Sequence, residues 1–156
     1  MTANSIDSGA VAHRLVGHCM SRQVASASPY DTLAEAYSTM RLRGIRRLPV
    51  VEHGRLVGIL TRSDILEIKP TELGHGADFA TVMKDLDRLT VGVAMHRAPV
   101  SIYEADTLGH AAELMLEHKI GGLPVLNASE ELVGVITESD LFRLVAAQWR
   151  ADNART

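Results

Sequence analysis

The strongest constraint on the fold is that the chain repeats itself. With Met20 set on Met95 and both copies read forward, Arg22/Arg97, Ser26/Ser101, Asp31/Asp106, Thr32/Thr107, Leu33/Leu108, Ala36/Ala111, Met40/Met115, Ile45/Ile120, Leu48/Leu123, Pro49/Pro124 and Val50/Val125 coincide. One extra residue enters the second copy before Leu132, and then Leu56/Leu132, Val57/Val133, Gly58/Gly134, Thr61/Thr137, Ser63/Ser139 and Asp64/Asp140 coincide. The insertion falls between two apolar runs, at His53-Gly54 and Asn127-Ala128-Ser129, residue types that favour hairpin turns. Self-similarity of this kind means one supersecondary unit used twice. A unit of about 55–60 residues is marginal alone, so the two copies are expected to pack together about a pseudo-twofold axis.

Each copy reads as β-α-β-β-α, a mixed α/β (α+β) chain. Short extended stretches at residues 24–27 and 100–103 precede helix starts at Asp31-Thr32 (with Glu35) and Asp106-Thr107, where hydroxyl and carboxylate side chains cap free N–H groups. Leu33, Ala36, Tyr37 and Met40, and Leu108, Ala111, Met115 and Leu116, recur at helical spacing, and the helices are expected to stop near Gly44 and Lys119. Hairpins follow at 48–51 with 56–60 and at 123–126 with 132–136, then a last helix after Asp64 and after Asp140. The expected layout is an N-terminal segment 1–14, repeats at 15–69 and 90–148, a linker at 70–89 broken by Pro70 and Gly74-His75-Gly76 with a short helix within 78–89, and a C-terminal tail at 149–156 that frays over Asp152 to Thr156.

Composition narrows the function classes. A net charge of −3 and 4% aromatic residues argue against a nucleic-acid-binding surface, which wants excess Lys and Arg and stacking platforms. Cys19 is the only cysteine, so neither an intrachain disulfide nor a thiolate-rich zinc site is expected. No apolar run reaches the roughly 18 residues of a membrane span, and residues 1–12 have no signal-peptide pattern, so no membrane partner and a cytoplasmic location are expected. Seven histidines are present, but none forms a compact ligand pair; His110, Glu113 and Glu117 share a helix face and read as surface, and no metal is expected. Cys19 beside His18 lacks any locatable oriented base and oxyanion site, and no nucleophile elbow, P-loop or dinucleotide glycine pattern occurs, so the chain is not expected to be an enzyme. Met40, Met83, Met95 and Met115 read as core filler.

Two segments stand out: Gly58-Ile59-Leu60-Thr61-Arg62-Ser63-Asp64 and Gly134-Val135-Ile136-Thr137-Glu138-Ser139-Asp140. Both place a hydroxyl and a carboxylate three apart where a strand hands over to a helix. Thr-x-x-Asp is close to a capping box, which satisfies orphan N–H groups of the first turn. The same carboxylate is also placed to accept from the vicinal hydroxyls of a ribose, with a helix N-terminus nearby to attract anions. Arg41, Arg43, Arg46 and Arg47 precede Leu48-Pro49; they read either as phosphate partners or as a basic helix end complementing its dipole.

The repeated pattern of helix, basic pair, Leu-Pro-Val, hairpin and Gly-x-x-Thr-x-x-Asp resembles the cystathionine-β-synthase (CBS) domain, and two in tandem resemble a CBS pair, or Bateman module, over roughly residues 15–148. The resemblance implies a non-catalytic regulatory module that binds adenine nucleotides (AMP, ADP or ATP, in some members S-adenosylmethionine or NAD) in a cleft between repeats. It needs no catalytic cofactor and commonly pairs as a disc-shaped homodimer. Carried over, a first site takes Thr61 and Asp64 for ribose, Arg46 and Arg47 for phosphate, and Ala98, Val100, Ser101, Gly121, Gly122, Leu123 and Pro124 for the base. A second takes Thr137 and Asp140, with Gln23, Val24, Ser26, Leu48 and Pro49. Gly121 and Gly122 stand where the first copy has Arg46 and Arg47, so the Asp64 site is expected to hold a phosphorylated ligand more tightly. With no effector domain visible, regulation is expected to act on a partner protein in trans. The competing reading is a ligand-free dimerisation or interaction module whose motifs only cap helices. The apolar final helices (Ile65, Leu66, Ile68; Leu141, Phe142, Leu144, Val145) supply a surface for a second copy, and Trp149 is placed to pack either on the core or on that copy.

Overall fold

A computed structural model describes residues 9–68 and 78–155. In chain order the elements are α1 (Gly9–Ala12), a 3₁₀ turn (Val16–His18), α2 (Leu33–Arg43), β1 (Arg47–Glu52), β2 (Arg55–Thr61), α3 (Arg62–Glu67), α4 (Phe79–Leu86), α5 (Val91–Ala94), β3 (His96–Arg97), β4 (Ile102–Tyr103), α6 (Leu108–His118), β5 (Gly122–Leu126), β6 (Leu132–Thr137) and α7 (Glu138–Asn153). The breaks expected at Pro70 and Gly74-His75-Gly76 lie outside the described residues. The chain divides into two compact units, Ala25–Pro99 on its own, and Met1–Val24 together with Val100–Thr156.

In the unit Ala25–Pro99, α2 starts where its sequence says. The Thr32 hydroxyl accepts from the Glu35 N–H while the Glu35 carboxylate accepts from the Thr32 N–H, and Gly44 ends the helix in the left-handed conformation (φ 63°). Leu33, Ala34, Ala36 and Met40 are its buried face. β1 and β2 form an antiparallel hairpin in which Arg47 faces Thr61 and Glu52 faces Arg55. His53 and Gly54 close it with φ of 50° and 77°, the paired left-handed turn that matches strand twist. The extended stretch expected at 24–27 reduces to one parallel bridge, Ala27 to Val50. The sheet's third strand was not expected: β3 pairs antiparallel with β2, His96 opposite Ile59 and Arg97 opposite Gly58. The core is Ala27, Leu33, Ala36, Met40, Leu48, Val50, Leu60, Ile65, Leu86, Val91 and Met95 with their neighbours.

The other unit repeats this plan. β4 runs parallel to β5, and β5 is antiparallel to β6 with Gly122 opposite Thr137. Its longer turn is organised by Asn127, whose Oδ1 accepts from the N–H groups of Ser129 (3.0 Å) and Glu131 (2.9 Å). Thr107 caps α6 and Lys119 ends it in the left-handed conformation. Val16, Ile102, Leu108, Ala111, Met115, Leu123, Val125 and Ile136 form the core.

The units cut across the sequence copies. Residues 15–21, which open the first copy, are bound into the second unit: the Val16 N–H donates to Asp106 O (2.8 Å), that of Gly17 to Glu104 O (2.9 Å), and Ser21 bridges Val135. The matching residues 90–97 are bound into the first unit, where the Val91 N–H donates to Asp31 O (2.8 Å) and that of Gly92 to Pro29 O (2.8 Å). Two helix boundaries also differ from expectation. α3 and α7 begin directly after Thr61 and Thr137, so Asp64 and Asp140 are third residues of their helices and not the residues before them. α7 runs to Asn153, so the helix takes in the first five residues of the expected tail, two of them in the part expected to fray.

Candidate functional site

The exit of β2 into α3 concentrates the polar side chains that the sequence marks. The Thr61 N–H donates to Asp64 Oδ2 (2.7 Å), and the Asp64 N–H donates to Thr61 Oγ1 (3.2 Å). The capping role is therefore realised. It does not exhaust the groups, because a carboxylate oxygen accepts more than one hydrogen bond, although the Thr61 hydroxyl is itself engaged with the Asp64 carboxylate. The hairpin register sets Arg47 opposite Thr61, and the Arg62 N–H donates to Arg46 O (2.9 Å). Arg46, Arg47 and Arg62 are all exposed, and the Arg62 guanidinium lies over the Tyr37 ring at 6.0 Å.

Sequence reading missed one member of this cluster. His96 Nε2 lies 2.8 Å from Asp64 Oδ1, with the His96 side chain 67% exposed and that of Asp64 13% exposed. His96 arrives on β3, a two-residue strand with no periodicity of its own. The signal that could have found it is its position one residue after the Met95 that anchors the repeat. Burial pushes the Asp64 carboxyl up, but the hydrogen bonds from Thr61 and the contact with His96 outweigh it, so Asp64 ionises below its ordinary 3.8.

The second motif is built alike and finished differently. The Thr137 N–H donates to Asp140 Oδ2 (2.8 Å), and so does the Thr137 hydroxyl (2.9 Å). Arg143 Nη1 donates to Asp140 Oδ1 (3.2 Å) from one turn along α7; this i, i+3 pairing was legible from helix spacing and was also missed. Ser21 holds the sequence position of His96. The Glu138 N–H donates to Gly121 O (3.1 Å), as the Arg62 N–H does to Arg46 O, so Gly121 and Gly122 do stand in the places of the first unit's arginines and bring no charge.

The remaining sequence-predicted residues are divided between the units. Ala98, in left-handed conformation at φ 49°, belongs to the unit of Asp64 along with Ser26, Leu48 and Pro49, whereas Gln23, Val24, Val100, Ser101, Leu123 and Pro124 belong to that of Asp140. The side chains of Leu48 and Leu123 are fully buried in the cores of their own units. What either offers a ligand is therefore its backbone. Among the described residues no group of three or more His, Cys, Asp and Glu is placed to hold a metal ion, and no helix is long and apolar enough to cross a membrane.

The CBS domain family model matches residues 16–70 and 84–147. The Methanocaldococcus jannaschii protein MJ1225 is 31% identical over 134 residues; the match covers 86% of this chain and 48% of MJ1225, so the chain spans about half of that relative. The MJ1225 crystal structure superposes with a TM-score of 0.72, over 85% of this chain and 48% of that one. CBSX2 from Arabidopsis thaliana, solved in complex with AMP, is 25% identical with a TM-score of 0.71, covering 87% of this chain and 98% of its own. The CBS domain pair of MJ0100, solved with 5′-methylthioadenosine and S-adenosyl-L-methionine, is 26% identical with a TM-score of 0.70, covering 87% and 98%.

Proposed function

The chain belongs to the CBS domain family and carries two such domains, and from that premise we propose that it is a non-catalytic regulatory module whose ligand is an adenine nucleotide, read out by a partner protein. The observation that carries this reading is the Thr61–Asp64 pair beside Arg46 and Arg47, three kinds of group suited to one ligand. The ionised Asp64 accepts from ribose hydroxyls, the Thr61 hydroxyl lies beside it and holds it in place, and the arginines face phosphate oxygens. The complexes of CBSX2 with AMP and of MJ0100 with S-adenosyl-L-methionine support an adenosine-bearing ligand. The exposed arginines favour a phosphorylated one.

The Asp64 site is the stronger of the two. At Asp140 glycines replace the phosphate partners, and the group already paired with the carboxylate is an arginine instead of a histidine. Thermal unfolding with and without AMP, ADP and ATP tests this. A ligand at about 100 times its Kd adds about 2.7 kcal/mol to the folded state. The expected result is a raised Tm that Asp64→Ala largely abolishes and Asp140→Ala reduces less. Equal loss from both variants contradicts the asymmetry.

A second reading, an interaction module without ligand, is favoured by α7. Phe142, Val145 and Trp149 fall on one stripe of that helix and are each more than half exposed. A second copy of the chain is the occupant that would cover it. Under this reading alone no nucleotide moves Tm.

A further inference from the structure

We propose that His96 is a proton-operated latch on Asp64, so that ligand binding at this site weakens as pH falls. The inference rests on the reading of Asp64 as the ribose acceptor and goes beyond it by naming what competes for that acceptor. Asp64 Oδ2 takes the Thr61 N–H at 2.7 Å and Oδ1 takes His96 Nε2 at 2.8 Å. A pair of ribose hydroxyls therefore meets a carboxylate whose outer oxygen is already engaged. Asp64 is fixed by its cap, whereas the His96 ring is mostly in solvent and comes from the two-residue strand β3, so the ring is the partner able to leave. Its departure frees Asp64 Oδ1 to accept from another donor.

The sign follows from the charge on the imidazole. Around pH 6.5 an ordinary histidine changes from neutral to cationic. The neutral ring holds Asp64 by an ordinary hydrogen bond, and the cation holds it by a charge-assisted one of about twice the strength. Charged groups surround the ring on several elements. β3 adds Arg97, and β2 adds Arg55 at its far end. α3 contributes Arg62, Asp64 and Glu67, β1 contributes Arg47 and Glu52 with Arg46 just before it, and α5 has none. Among the described residues, Asp64 is the carboxylate in contact with the ring. The second unit has Ser21 at the matching position and a permanently charged Arg143 on Asp140, so no such switch exists there.

Calorimetric titration of the full chain with AMP at pH 8.0 and pH 5.5 tests the latch, with His96→Gln as the comparison. Glutamine preserves a donor at that place without titrating. AMP loses phosphate charge over the same range, but equally for both proteins, so the difference between them isolates the histidine. The expected result is that wild type loses about fivefold more affinity than His96→Gln on going to pH 5.5. Equal losses in the two proteins, or tighter wild-type binding at pH 5.5 through attraction of the imidazolium to phosphate, overturn the latch and leave the nucleotide site standing. Failure of AMP, ADP and ATP to bind wild type at either pH overturns the nucleotide site, and the latch with it.

Discussion

Asp64 closes the cap of α3, and its titration reports that role. Its carboxyl is held below its ordinary 3.8 despite burial, by the Thr61 hydrogen bonds and then by His96. A carboxyl whose pKa falls on folding contributes stability that is fully present above its unfolded pKa and is lost as pH drops through the folded one. Acid unfolding of the wild type is therefore expected to steepen below about pH 4 through this group. Asp64→Asn should lose that part of the slope, being less stable than wild type at pH 7 and closer to it at pH 3. Urea midpoints at the two pH values check it; an unchanged gap removes Asp64 from the acid response. At this scale the sequence was most legible. Thr61 with Asp64, Thr137 with Asp140 and Thr32 with Glu35 are local patterns, and a residue three positions on can reach only the turn that it begins. His96 was illegible because its partner is 32 residues away and nothing local in sequence encodes that meeting.

Among the elements, the hairpins and central helices followed from period and turn chemistry, whereas β3 did not. Two residues carry no alternation, and β3 exists because β2 lets it approach. A Cβ on Gly58 would lie 2.9 Å from His96 O and 2.7 Å from Met95 Sδ. A Cβ on Gly134 would meet the Met20 sulfur and lie 2.9 Å from Ser21 O. The methionines can move aside, but the carbonyls belong to paired backbone and cannot without loosening the sheet edge. Gly58→Ala is expected to cost about 1–3 kcal/mol and, by displacing β3, to weaken the His96–Asp64 contact as well. A urea titration together with the His96 ring shift by NMR checks both. Full stability in Gly58→Ala would show that the approach is looser than these distances. The glycines were visible in the sequence as the first residue of each repeated motif. Their reason was not, because it lies on the segment that opens the other copy.

At the scale of the molecule, two copies of one pattern build two units with separate cores, yet each unit borrows the opening segment of the other copy. Cutting the chain between copies, at residue 69 or 89, would leave β2 without β3 and β6 without its bridge to Ser21. Association is expected through α7. Light scattering should give about twice the 16.9 kDa chain mass at micromolar concentration, and Phe142→Glu with Trp149→Glu should halve it; a wild-type monomer would leave that stripe unexplained. The claim on which the rest depends is that the Asp64 carboxylate receives a sugar. A crystal structure of the chain with ADP answers it directly. The expected density has both ribose hydroxyls on Asp64, the diphosphate toward Arg46 and Arg47, and the His96 ring turned away. Density showing Asp64 still closed onto His96 at saturating ADP, with no nucleotide beside it, would contradict the claim and leave Thr61 and Asp64 as a helix cap alone.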